Sequence, residues 1–338
     1  MKAVAYQQAL PIDDARALID ITLPDPVATG RDLLVEVKAI SVNPVDTKVR
    51  RSTAAPDGEY KVIGWDAAGI VRAVGDRASL FKPGDRVWYA GSLIRPGANS
   101  ELHLVDERIV GHMPHSLDFA HAAALPLTTI TAWELLFERL QLSTAAGAHA
   151  DDALLIVGAA GGVGSIMIQL ARQLTDITVI ATASRPETRS WVHALGAHKI
   201  IDHRKPLSAE LKAIGIPAVR YIAGLNQTDQ HYAEMVEAIA PQGRLALIDD
   251  PGQMDIRLLK RKSVSLHWEF MFTRAMFETP DMQKQHDLLN EAARLIDANT
   301  IKTTLGEHFG TINATNLRRA HALLESNTAK GKIVLEGF

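Results

Sequence analysis

The chain has no cysteine at all among its 338 residues. Disulfides are therefore impossible, and so is any zinc or iron–sulfur site that needs a thiolate. Charge of one sign is also missing: the formal net charge is −3, so no basic excess marks a nucleic-acid surface. No apolar run reaches the roughly 18 to 20 residues that a membrane-spanning helix needs. The N-terminus, MKAVAYQQAL, lacks the long apolar core of a secretion signal. These absences predict a cytoplasmic protein with no nucleic-acid or membrane partner. Low-complexity tracts and repeats of 20 to 50 residues are absent too, which excludes solenoids and propellers. What remains is 47% apolar and 22% charged, an ordinary globular composition, in a chain long enough for two domains.

Up to about residue 125 the sequence reads as short strands between turns. Leu33–Ser41 and Gly69–Val74 are rich in β-branched residues, and Pro56-Asp57-Gly58, Gly75-Asp76 and Pro83-Gly84-Asp85 punctuate them. From about Pro126 the rhythm changes to strands alternating with helices. A helical stretch over Thr129–Leu140 precedes the apolar run Ala153–Val157, and strands follow at Ile177–Ala181, Lys199–Ile201, Val219–Ala223, Arg244–Ile248 and Val264–Phe272. That alternation predicts an α/β fold with a doubly wound parallel sheet of the Rossmann type. Thr279-Pro280-Asp281 reads as the capped start of a helix, and the terminal strand Lys332–Leu335 closes the chain. The expected organisation is a mainly β domain over 1–125, a dinucleotide-binding domain over 126–274, and a return segment over 275–338 that completes the first domain.

The strongest motif is LLIVGAAGGVGSIMIQLA, in which Gly158, Gly161 and Gly164 follow a buried-type strand and open an amphipathic helix. Such a turn lets backbone N–H groups approach a pyrophosphate without interference from side chains. Gly158, Gly161, Gly162, Val163 and Gly164 are thus the expected pyrophosphate cradle. Glycine spacing alone also suits a plain turn; the strand before it and the helix after it point to a dinucleotide. An NAD site carries an acid about 20 residues further on. Here that position is Ser184, followed by Arg185, with Arg189 one helical turn beyond. A hydroxyl and guanidinium groups suit a 2′-phosphate, which points to NADPH rather than NADH, although solvated residues at a helix start are the simpler alternative.

Five segments together resemble the medium-chain dehydrogenase/reductases, in their zinc-free quinone oxidoreductase branch. They are SVNPVDTKVR (41–50), GWDAAGIVRAVGDRASLFKPGDRVW (64–88), ALPLTTITAWELL (124–136), GAAGGVG (158–164) and GKIVL (331–335). The stretches DQHYAEMVEAIAPQGRLALIDDP and HWEFMFTRAMFETPDM resemble a subgroup often labelled zinc-type alcohol dehydrogenase-like. The resemblance implies a GroES-like catalytic domain beside the Rossmann domain. It also tests the zinc label. Where zinc relatives place a cysteine and a His-Glu pair, this chain has Asn43, Trp65 and Asp66, so no metal is expected.

Without a Lewis acid, an acceptor must delocalise the incoming charge itself, as a quinone or an activated alkene does. The expected activity is NADPH-dependent, zinc-independent reduction of a quinone in the interdomain cleft. A reductase of α,β-unsaturated carbonyls (enals or enones) is the close alternative, and a non-catalytic NADPH-binding redox sensor the more distant one. By resemblance Asn43 lies beside the nicotinamide or the acceptor oxygen, with a turn residue before Pro44 as the alternative. Asp46 orients Asn43 or water, or caps a helix. Trp65 walls the acceptor or packs in the core, and Thr131 touches the nicotinamide side. His203 stands near the adenosine end, or simply at the surface. Phe272 ends a strand that approaches the nicotinamide, although its aromatic and Met-rich neighbourhood also suits core or interface. Lys332 approaches the cofactor phosphates or is a surface charge. A homodimer through the Val264–Phe272 edge is likewise implied by the family. The 13 histidines show no metal-ligand spacing, and no Ser/His/Asp set stands out.

Overall fold

A computed structural model describes all 338 residues. The chain begins with β1 (Lys2–Tyr6), β2 (Ile19–Thr22), β3 (Asp32–Val42), α1 (Pro44–Ser52), β4 (Lys61–Val62), β5 (Ala67–Val74), β6 (Arg86–Tyr89), β7 (Leu102–Asp106) and β8 (Val110–His112). Two helices, α2 (Phe119–Ala123) and α3 (Pro126–Trp133), lead to β9 (Ala153–Val157). Then α4 (Gly162–Leu174), β10 (Thr178–Thr182), α5 (Pro186–Ala194), β11 (Lys199–Ile201), α6 (Leu207–Ala213), β12 (Val219–Gly224), α7 (Thr228–Ala238), β13 (Ile239–Leu247) and β14 (Ser265–Trp268) alternate. The chain finishes with α8 (Thr273–Phe277), α9 (Lys284–Asp297), β15 (Leu305–His308), α10 (Ala314–Glu325) and β16 (Lys332–Glu336). No helix is long and apolar enough to cross a membrane.

Two compact units result: Met1–Ile130 with Phe272–Phe338, and Thr131–Met271. In the first, a seven-stranded sheet has the order β15-β16-β3-β5-β6-β8, with β7 paired to β3, and a three-stranded sheet has the order β2-β1-β4. The eleven-residue β3 is its spine. Its side chains alternate, with Leu33, Val35, Val37 and Ala39 fully or almost fully buried, as a strand with one core face requires. The final strand β16 pairs antiparallel with β3, Ile333 opposite Val42, so the last residues complete a sheet begun near residue 32.

The second unit is a parallel six-stranded sheet of order β11-β10-β9-β12-β13-β14. All five residues of the central β9 are buried, as expected for a strand covered on both faces by helices. Val157, Ile180, Ile222 and Leu245 belong to this unit's apolar core. The fold is therefore α/β, a doubly wound Rossmann sheet plus a mainly β unit.

Three local expectations need correction. The helix over Thr129–Leu140 breaks after Trp133 into a π-helical turn, Glu134–Arg139, in which Leu140 N–H donates to the Leu135 carbonyl five residues back. The strand expected over 264–272 is only Ser265–Trp268. The helix expected to open at Thr279-Pro280-Asp281 begins at Lys284 instead. Asp281 is engaged elsewhere: its carboxylate accepts from Arg274 and from the Thr279 hydroxyl, which holds the segment as a turn.

Candidate functional site

In the second unit, the glycine turn joins β9 to α4 at the carboxyl end of the sheet, where parallel α/β sheets bind their ligands. Gly158 has φ +85°, a conformation that side chains disfavour, and its N–H donates to Thr182 Oγ1 at 3.1 Å. That bond ties the turn to the last residue of β10. Gly161 is the N-cap of α4, and Gly162 and Val163 open its first turn, whose N–H groups lack helical partners. A Cβ on Gly164 would lie 2.5 Å from Ala159 Cα, so only glycine permits this approach of helix to turn. The cradle thus has the shape and backbone donors that a pyrophosphate needs.

Ser184 and Arg185 follow β10. Arg185 is the N-cap of α5, half-exposed, with Nε 3.1 Å from Glu187. Arg189 donates to the Ala183 carbonyl at 3.1 Å. Beyond β11, Arg204 extends across to the Ser184 carbonyl at 3.4 Å while pairing with Asp202 at 2.6 Å. His203, its neighbour, is half-buried, and its ring meets His231 edge-on at 6.0 Å. Burial, then the nearby Arg204 and Arg185 charges, hold its imidazole below the usual range against the pull of Asp202. Ser184, Arg185, Arg189 and His203 are therefore neighbours. Arg204 joins them unannounced by any motif, because only the parallel pairing of β10 with β11 brings it there. The patch offers the cationic and hydroxyl donors that a phosphate monoester takes.

Thr131, the first residue of the second unit, is buried in α3. Phe272 is the opposite case: it belongs to the first unit, where its ring packs edge-on against Trp65 at 6.3 Å. It is thus a core neighbour of Trp65, and the strand expected to carry it ends at Trp268.

The first unit holds a buried polar cluster. Asn43 is the N-cap of α1, and its N–H donates to Asp46 Oδ2 at 2.7 Å, half of a capping box. Its side-chain amide donates to Asp66 Oδ2 at 3.1 Å and to the Ser41 carbonyl at 3.3 Å. Its Oδ1 accepts from Lys332. Lys332 Nζ also donates to the Val42 carbonyl at 2.8 Å and lies 3.1 Å from Asp66 Oδ2. The second Asp66 oxygen accepts from the Leu127 N–H at 3.0 Å. Trp65, 1% exposed, donates its indole N–H to the Ser92 carbonyl at 3.0 Å.

Two expectations change here. Lys332 is 3% exposed and spends its three donors inward, so it has none left for a cofactor phosphate. The amide hydrogens of Asn43 are likewise committed to Asp66 and Ser41, which leaves none for an oxyanion on an acceptor. Asp46 is a capping residue, as one of its two readings holds. Burial pushes its carboxyl up to about 7, against the bonds from Asn43 and Trp65 and the Lys332 charge. Burial likewise raises Asp66 and lowers Lys332, and each counters the shift of the other.

The comparisons agree with this architecture. Residues 29–115 match the alcohol dehydrogenase GroES-like domain, and residues 195–335 match the zinc-binding dehydrogenase family. The chain is 38% identical over 338 residues to a zinc-type alcohol dehydrogenase-like protein of Staphylococcus aureus, covering 99% of both chains. It is 30% identical over 261 residues to the quinone oxidoreductase of Lama guanicoe, covering 75% of this chain and 76% of that one. The chain belongs to the medium-chain dehydrogenase/reductases, quinone oxidoreductase branch. It is therefore an oxidoreductase of a family that works with nicotinamide cofactors. A crystal structure from Rhizobium etli, provisionally described as a zinc-dependent alcohol dehydrogenase, superposes with TM-score 0.96 at 61% identity, covering 100% of this chain and 98% of that one. The Escherichia coli quinone oxidoreductase bound to NADPH shares the fold, with TM-score 0.85 at 24% identity, covering 99% and 100%.

The zinc in several of these names can be tested against the donors present. A catalytic zinc takes thiolate, imidazole or carboxylate ligands. The positions that the resemblance matches to those ligands offer the Asn43 amide, the Trp65 indole and an Asp66 carboxylate already paired with Lys332. That donor set does not fit zinc.

Proposed function

We propose that the protein is an NADPH-dependent quinone oxidoreductase that transfers hydride to a conjugated acceptor without zinc. The observation that carries this reading is the buried Asn43–Asp66–Lys332 cluster, in which the Lys332 ammonium bonds to Asn43 and Asp66, two of the three positions that the resemblance matches to zinc ligands. An alcohol or simple ketone would then lack its Lewis acid, whereas a quinone spreads the incoming charge over its own conjugation. NADPH, when bound, supplies the hydride. The Gly158–Gly164 turn receives its pyrophosphate, and Ser184, Arg185, Arg189 and Arg204 receive the 2′-phosphate. Thr131 contributes on the nicotinamide side and Trp65 supplies an apolar wall. Edge strand β14 ends in a half-exposed Trp268, with Phe270 exposed just beyond, which supports a homodimer formed along that edge.

The test is NADPH oxidation with a panel of quinones and enals, with and without a chelator. Quinones should be reduced at rates that the chelator leaves unchanged. Turnover with enals alone would move the reaction to alkene reduction, and loss of turnover on chelation would overturn the zinc-free reading.

A further inference from the structure

In the second unit two imidazoles meet beside the phosphate patch. His203 follows the end of β11, and His231 lies in the first turn of α7. Their rings pack edge-on, at 75° and 6.0 Å between centroids, and both are half-buried. In the sheet β11 and β12 flank β10 and β9. The contact therefore joins chain from either side of the strands that carry Ser184 and the glycine turn. The patch itself is adjacent: the Ala183 N–H donates to the Ile201 carbonyl at 3.0 Å, and Arg204, next to His203, reaches the Ser184 carbonyl at 3.4 Å.

Without an anion the surroundings keep this pair neutral. His203 Nδ1 is buried with no hydrogen-bond partner. The nearby acids are engaged by other groups: Asp202 by Arg204 at 2.6 Å, Glu210 of α6 by Lys205 at 3.3 Å, and Glu234 of α7 by the Ser208 hydroxyl at 2.9 Å. The cations that face His203 are Arg204 and, from the start of α5, Arg185. Burial lowers both imidazoles; the two arginines add to it at His203 against Asp202, and the His203 charge adds to it at His231. A phosphate dianion held at Ser184 and Arg185 reverses that balance, because an opposite charge nearby favours the protonated ring.

We infer that His231 and His203 form a specificity-determining pair for the cofactor: a proton taken up by the two rings adds charge to the 2′-phosphate patch and raises its preference for NADPH over NADH as pH falls. This inference rests on the NADPH reading above. One proton suffices, since a second would set two like charges in contact. Linkage gives the sign. The phosphate raises the pair above its free value, so binding takes up a proton between the two values. Affinity for the phosphorylated cofactor must then rise as pH falls through that window. A cofactor without the 2′-phosphate brings no such charge. The phosphate's own second ionisation, at about pH 6, acts in the opposite direction, but it is common to every variant and cancels when proteins are compared.

Calorimetric titration of the full chain with NADP⁺ and NAD⁺, whose oxidised rings tolerate acid, tests the pair between pH 8 and pH 5.5. The ratio of the NAD⁺ to the NADP⁺ dissociation constant should rise on acidification by about threefold or more in the wild type relative to the double variant His203→Phe/His231→Phe. His231→Phe alone should show a smaller rise than wild type; an equal rise removes His231 from the pair. Histidine NMR of the wild type, with the two rings assigned through their mutual contact, needs no variant. The pair should titrate at a higher pH with NADP⁺ bound than with NAD⁺ bound, and equal titration in the two complexes overturns the inference. At pH 8 the wild type should already prefer NADP⁺ through Ser184 and the arginines. No preference at that pH sinks the cofactor reading and the inference with it. A preference at pH 8 that grows no more in the wild type than in the double variant sinks the pair alone.

Discussion

Lys332 Nζ lies 3.1 Å from Asp66 Oδ2, with the two side chains 3% and 0% exposed. Truncating one partner of a buried ion pair leaves the other charge stranded, whereas replacing both with neutral groups removes the desolvation cost along with the attraction. Lys332→Met should therefore cost about 3 to 5 kcal/mol in denaturant unfolding. The double variant Lys332→Met/Asp66→Asn should recover much of that loss, because an amide still accepts from the Leu127 N–H. Additive losses from the single substitutions would show that the two residues do not act as a pair.

Asp46 makes the same cluster sensitive to pH. Its carboxyl is raised from an ordinary 3.8 to about 7, first by burial. Between those values the folded state holds a proton that the unfolded chain has released. Stability must fall as pH rises through that window, by up to about 1.4 kcal/mol per pH unit. Asp46→Asn keeps an acceptor for the Asn43 N–H and removes the titration. Unfolding curves at pH 5 and pH 7.5 should thus converge in the variant relative to wild type. An unchanged difference would assign the slope to another group.

The cofactor patch predicts a discrimination rather than a loss of function. Arg204→Ala and Arg185→Ala should each weaken NADPH binding about tenfold or more, the scale of a lost charge-assisted contact of roughly 1.5 to 3 kcal/mol. NADH, which has no phosphate there, should change by less than about twofold. Isothermal titration with both nucleotides measures the ratio. Equal weakening of the two would mean that these arginines support the fold of the patch and do not bind phosphate.

How much of this was readable in advance depended on the distance over which each feature is written. The Gly158–Gly164 turn is local: a buried strand, three glycines and an amphipathic helix are contiguous, so cradle and sheet type were both legible. Ser184 and Arg185 were reached by counting along one strand–helix unit. Arg204 was not, because its place beside Ser184 depends on the register of β11 against β10. The same holds for Lys332, whose inward direction is set by β16 pairing with β3. From the motif alone, a lysine near the C-terminus looked free to meet a phosphate. The π-helical turn escaped for another reason: an i to i−5 bond leaves the apolar spacing over 129–140 looking like an ordinary helix. The strand over 264–272 was likewise read too long, since only Ser265–Trp268 pairs with β13.

His321 supplies a last prediction, in the acid direction. It sits on α10, 0% exposed, and neither ring nitrogen has a hydrogen-bond partner. Burial, with the Arg50 charge adding to it, lowers its imidazole from an ordinary 6.5 to about 3. Between those values the unfolded chain takes up a proton that the folded protein refuses. Stability must therefore fall as pH drops below about 6.5, by up to about 1.4 kcal/mol per unit from this one residue, until the folded value is reached. Replacing the ring by an apolar side chain removes that penalty and also removes two buried nitrogens that bond to nothing. His321→Leu should match or exceed wild-type stability at pH 7, and its advantage should widen by a kcal/mol or more by pH 5. Thermal unfolding at the two pH values measures the widening. A constant difference between the two proteins would mean that His321 is already protonated, or already partnered, in the folded state.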